Sequence, residues 1–156
     1  MDEHDDEDTP IVGDVLLHNQ RFLARFVERA REWVGDSARI SDHSSEPEPF
    51  ISIEPHQTGA AAIWVVGDRL LDVQIGDTNG RFELQYSEEN LLDSIVRGVI
   101  RGDASEVRIL GRSAVRITLD GGRTVMMTGF ESNAAYIPLP GWRRWARGVP
   151  LASYTA

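Results

Sequence analysis

The chain has neither cysteine nor lysine. Without cysteine it can form no disulfide, no thiolate zinc site, no iron–sulfur cluster and no cysteine nucleophile. Without lysine there is no Schiff-base chemistry, no P-loop cation of that type and no lysine general base. All 16 basic residues are arginine, a bias of the kind GC-rich coding produces. Also missing is any run of about 18 apolar residues. The opening MDEHDDEDTP is acidic where a secretion signal would be basic and then apolar. These absences predict a soluble, cytoplasmic protein that crosses no membrane. No G-x-G-x-x-G, no Walker sequence and no H-x-E with paired cysteines occurs.

What is present suits one core. A chain of 156 residues with 41% hydrophobic content has a common single-domain size and buries about two thirds of its unfolded surface. The net charge of -9 is uneven. Six carboxylates crowd into residues 1–8, whose mutual repulsion and lack of apolar side chains predict a disordered acidic arm. Residues 9–156 are expected to form a single α+β domain that is only mildly acidic, and from Tyr136 onward the chain carries three arginines and no acid.

Thr9-Pro10 reads as a helix start. Val12, Val15, Leu16, Leu23, Phe26, Ala30 and Trp33 recur at three- and four-residue spacing, which predicts an amphipathic helix ending near Gly35. Arg21, Arg25 and Arg29 share another line of it, with Glu28 and Glu32 beside them, so a solvated mixed-charge face is expected there. DSARISDHSSEPEP reads as a polar connector. FISIEPH, AAIWVVG, LLDVQIG and RFELQYS are short β-rich runs broken by turn sequences and predict an antiparallel meander, the last strand with one wet face. Ser87 is the expected N-cap of a second helix, with Glu88 and Glu89 in its first turn, Leu91/Leu92, Ile95/Val96 and Val99/Ile100 buried, and Gly102 as its stop. EVRIL, AVRITL and TVMMT predict three more strands, the last two joined by a hairpin at Asp120-Gly121-Gly122. The architecture expected is two helices packed on a largely antiparallel sheet, in the order helix, four strands, helix, three strands, irregular tail.

Candidate chemistry is sparse. Glu54 and His56 would share a strand face, and His43 or Glu46 could approach them to hold a divalent metal; Pro55 between them and the absence of a second histidine motif favour exposed turn residues instead. GRSAV resembles the start of a nucleophile elbow but lacks its closing glycine and leads into a strand, so Ser113 reads as a turn residue. Asp77, Asn79 and Gly80 lack calcium-loop spacing and read as a hairpin turn. Arg97, Arg101, Arg108, Arg112, Arg116 and Arg123 form a local basic concentration, yet Asp93, Asp103, Glu106 and Asp120 are interleaved with them, and a net negative protein repels phosphate at long range.

The tail is the most distinctive stretch. After Pro138, Pro140 and Gly141, Trp142 and Trp145 stand three apart among Arg143, Arg144 and Arg147. One reading makes an indole a lid on the core, with the arginines pairing to the acidic body. The other makes Trp142, Arg143, Arg144 and Trp145 a partner-binding anchor, since Trp and Arg are enriched in interface hot spots. An exposed pair of indoles would be an apolar patch that a monomer avoids, which favours the lid for at least one of them.

The stretch from Leu91 to Arg144, with VRGVIRGDASEVRILGRSAVRITLDGGRTV followed by PLPGWRR, is similar to small α+β proteins of GC-rich bacteria that carry no established activity. The order helix, meander, helix, meander resembles that of type III secretion chaperone-like folds, and size and composition resemble immunity proteins of polymorphic toxin systems. The resemblance implies a non-catalytic protein that binds another protein, a toxin or secreted effector, without cofactor, nucleic acid or membrane. Two other classes stay open: a small-molecule or metal-dependent enzyme or sensor with a pocket near Glu54 and His56, and a structural subunit of a homo-oligomer.

Overall fold

A computed structural model describes residues 12–155; the acidic arm and the Thr9-Pro10 cap lie outside them. Helix α1 spans Val12–Val34. Its buried stripe is Asn19, Phe22, Leu23, Phe26, Val27, Ala30 and Val34, at the helical spacing that a single apolar face requires. Val15 is exposed, so the stripe enters the core one turn later than the sequence pattern suggests. A 3-10 turn, Gly35–Ser37, leads into β1, Ala38–His43.

β1 corrects the expected connector: ARISDH is a strand, not a loop. It pairs antiparallel with β2, Phe50–Pro55, and β3 (Ile63–Gly67), β4 (Leu71–Ile75) and β5 (Phe82–Leu84) follow in a meander, giving a five-stranded sheet in chain order. In β3 and β4 every second residue is buried, and Glu83 of β5 faces water while Leu84 is buried, as the alternation predicts.

Helix α2, Glu89–Arg101, follows a 3-10 turn, Tyr86–Glu88. The N-cap of α2 is Glu88 and not Ser87; Gln85 caps the preceding 3-10 turn in a capping box, the Glu88 carboxylate accepting the Gln85 backbone N–H at 2.7 Å. Gly102 is the left-handed C-cap. Leu92, Ile95, Val96 and Val99 are fully buried. Gly98 lets the helix lie against the sheet, since a β-carbon there would meet Ile117 Cγ2 at 2.6 Å.

The second half forms its own sheet and does not extend the first. β6 (Ala104–Ile109), β7 (Arg112–Thr118), β8 (Thr124–Phe130) and the short β9 (Val149–Pro150) are arranged β8-β7-β6-β9, all antiparallel. The fold is therefore α+β with two antiparallel sheets in place of one. Both sheets and both long helices contribute to one continuous core, Val115, Ile117 and Met127 of the second sheet joining Ile51, Ile53, Ile63 and Leu71 of the first. The chain ends by tying the halves together: Tyr154 N–H donates to Ile100 O at 2.9 Å and the Tyr154 hydroxyl to Ala61 O at 2.6 Å. Two charged networks hold the helices. Arg29 grips Asp93 with two bonds of 2.9 and 3.0 Å, while Arg97 and Arg101 both reach Asp120 at the hairpin.

Candidate interaction surface

β7 is buried along both of its faces. Val115 and Ile117 point into the main core, and the alternate residues Arg112, Ala114 and Arg116 lie beneath a second, smaller cluster. That cluster is Val107, Ala114, Trp142 and Ala146, with Ile109, Met126 and Leu139 packed on it. The covering element is the irregular segment 131–147, which crosses the outer face as a strap. It contains a 3-10 turn, Asn133–Tyr136, and a single helical turn, α3, Trp142–Trp145.

Two arginines of β7 fasten the strap by its backbone. Arg112 is buried, and its guanidinium donates to the carbonyls of Leu110, Ala135 and Ile137. Four residues on, Arg116 donates to the carbonyl of Arg143. Neither has a carboxylate within salt-bridge distance among the described residues. The bonds to Ala135 O and Ile137 O satisfy carbonyls that the strap would otherwise bury, wholly or in part, without donors.

Trp142 closes the apolar cluster and is 8% exposed. Trp145 is 55% exposed, and its Nε1 donates to Pro140 O at 3.0 Å, which fixes the ring against the preceding turn. The Arg143 guanidinium stands 5.8 Å from the Trp142 ring centroid, within cation–π range. One indole is thus a lid and the other is displayed. Arg143, Arg144 and Arg147 have no ion pair among the described residues, so the expected local pairing with the acidic body is not found there.

The strap, the β6–β7 turn and the end of β8 together display an apolar group that sequence reasoning missed. Tyr136 is 86% exposed, Phe130 66%, Ile137 54% and Leu110 50%. They surround Arg112, whose bonds to Leu110, Ala135 and Ile137 bring the segments together, and Phe130 is the cross-strand partner of Arg112. Phe130 and Tyr136 flank a cleft of 460 Å³ with Glu131, Ser132, Asn133 and Ala135 on its wall. Leu110 has φ +42° and shares the two-residue β6–β7 turn with Gly111 at φ +70°. Both signs match a turn that normally takes Asn, Asp or Gly at its first position; a leucine there is strained and is not buried in return.

The other candidates fall elsewhere. Glu54 pairs with Arg39, and exposed His56 lies with Nδ1 3.1 Å from Asp36 O. His43 stacks on Phe50 at 4.3 Å. Because His43 faces Phe50 and Glu54 lies four residues farther along β2, the two ends of the hairpin are about 13 Å apart. No group of three or more His, Asp or Glu side chains that could hold a metal occurs among the described residues. Ser113 is not a turn residue: it is fully buried within β7, and its Oγ has no partner. The arginines of the second half divide by partner, Arg97, Arg101 and Arg108 holding carboxylates and Arg112 and Arg116 holding carbonyls.

No family model matches the chain, and neither a curated protein nor a solved structure matches it. No helix among the described residues is long and apolar enough to cross a membrane.

Proposed function

We propose that the protein binds another protein, without catalysis, through the outer surface of the strap. The observation that carries this reading is the exposed quartet Leu110, Phe130, Tyr136 and Ile137, gathered around the buried guanidinium of Arg112. Large apolar side chains left contiguous in water mark interaction sites. Their backbone is held by buried hydrogen bonds, so little ordering entropy is lost on docking. Aromatic residues and arginine, which the strap displays together, are the residues that interface cores favour. Of the sequence candidates, Arg143, Arg144 and Trp145 supply the contact side, and Trp142 anchors them from below. An immunity-like or chaperone-like role in the cytoplasm, with a toxin or secreted effector as partner, is the version of this reading that size and composition support.

Site-specific photo-crosslinking in the cells that make the protein tests it. A benzoylphenylalanine placed at Tyr136 or at Phe130 should give one discrete adduct with a different polypeptide, and the same group at exposed Leu70 in the β3–β4 turn should give none. Equal labelling from all three positions, no adduct at all, or an adduct only with a second copy of the chain would contradict the reading, the last in favour of a homo-oligomer.

A further inference from the structure

The end of the strap bearing Arg143, Arg144 and Arg147 is set apart from the rest of an acidic protein. No Asp or Glu occurs after Glu131. Elsewhere seven arginines, Arg29, Arg31, Arg39, Arg81, Arg97, Arg101 and Arg108, each hold a carboxylate, and Arg112 and Arg116 are spent on carbonyls. The unpaired Arg69 and Arg123 still have an acid within three residues in sequence, at Asp68 and Asp120, and Arg25 has Glu28; Arg21 has no acid that near and no ion pair among the described residues, but it is a single charge and not a cluster. At the strap's end three guanidiniums stand within five residues with no acid near them in sequence or, among the described residues, in ion-pair contact. Arg143 and Arg144 line an open cleft of 490 Å³ together with Gly141 and Trp142. Beside that cleft the Arg143 carbonyl is held by Arg116, and the Trp145 indole is tied to Pro140.

We infer that this cleft receives an acidic segment of the partner protein, its carboxylates taken by Arg143 and Arg144 with Arg147 at the rim, and a neighbouring apolar side chain laid against the exposed ring of Trp145. The inference rests on the protein-binding reading above and adds the partner's chemistry. A guanidinium presents paired donors that match a carboxylate, and like charges held together without counter-charge gain most from an anion. The exposed indole favours a segment in which acids alternate with apolar residues. A nucleic acid fits less well, because three guanidiniums make a short patch and the net charge of -9 opposes a long phosphate chain.

The test uses an acetylated, fluorescein-labelled peptide of alternating Glu and Leu, the same peptide with Gln for Glu, and a labelled single-stranded DNA of about 20 nucleotides, each titrated with the full chain by fluorescence anisotropy. The Glu peptide should bind at least tenfold more tightly than the Gln peptide and weaken as salt is raised. Arg143→Gln with Arg144→Gln should remove that tenfold preference while leaving the denaturation midpoint in place; Arg147→Gln alone should remove part of it. Equal affinity for the Glu and Gln peptides, a preference that survives the arginine substitutions, or tighter binding of the DNA would each overturn the inference. Should either of the first two results accompany a discrete partner adduct from Tyr136, the acidic selectivity fails and the docking surface stands.

Discussion

The guanidinium of Arg112 donates to the carbonyl of Ala135, 23 residues farther along the chain, from a buried position on the outer face of the second sheet. A buried cation satisfied by carbonyls is a fastening for backbone, and it decides where the exposed side chains next to that backbone stand. Replacing it with methionine keeps most of the apolar stem but leaves three carbonyls without a donor. Arg112→Met is expected to cost about 2–4 kcal/mol in urea denaturation and to speed amide exchange of residues 133–137. Arg112→Lys should recover only part, because an ammonium cannot span the three acceptors as a planar fork does.

The two tail tryptophans should separate cleanly. Trp142→Ala empties the centre of the outer cluster and is expected to cost about 3–5 kcal/mol. Trp145→Ala should stay within about 1 kcal/mol of the parent. Urea melts of the two single variants check this, and a larger cost at Trp145 than at Trp142 would reverse the assignment of lid and displayed ring.

The β7–β8 hairpin turns on Gly121 and Gly122, both at φ +85°. The Leu119 N–H donates to Arg123 O at 2.7 Å across this loop. Substituting both glycines with valine should cost about 1–3 kcal/mol, since a β-branched residue is penalised in this region. Thermal unfolding measures it, and an unchanged midpoint would mean the loop relaxes without strain.

Alkaline pH should loosen the link between the two halves. Burial raises the pKa of Tyr154, whose hydroxyl donates to Ala61 O. Burial, with the charge of Asp68 adding to it, pushes Tyr86 up to about 12. A folded pKa above the unfolded value near 10 stabilises fully below pH 10, and that contribution is lost as pH rises toward the folded value. Stability measured between pH 8 and pH 11 should therefore fall above pH 10. Tyr154→Phe should be less stable at pH 8 by about 1 kcal/mol, the net worth of one hydrogen bond, and should show a shallower decline. An identical decline in the variant would assign the alkaline loss to other groups.

Much of this fold is readable from side-chain spacing because spacing reports which face is apolar. The stripe from Leu23 to Val34, the paired aliphatics from Leu91 to Ile100 and the glycines of the last hairpin all match their elements. β1 escapes because an edge strand is chosen by its partner: ARISDH pairs residue for residue with β2, yet its Ser, Asp and His read locally as loop. The split into two sheets is hidden for the same reason, being decided by which edges meet in space. At the candidate surface, Pro, Gly, Trp and Arg mark the strap, but nothing in the spacing of Phe130 or Tyr136 distinguishes a displayed aromatic from a buried one. Burial of the Arg112–Arg116 face is equally a tertiary effect, since without the strap those positions would face water.

We propose that the side chains on the outside of the strap serve a partner and not the fold. It is tested most directly by combining Phe130→Ser, Tyr136→Ser and Trp145→Ala and measuring the photo-adduct yield from benzoylphenylalanine at Ile137, alongside the urea midpoint of the same protein. The partner adduct should be lost while stability changes by no more than about 1–2 kcal/mol, as for three exposed substitutions. An undiminished adduct, or a collapse of stability by more than about 4 kcal/mol, would contradict it.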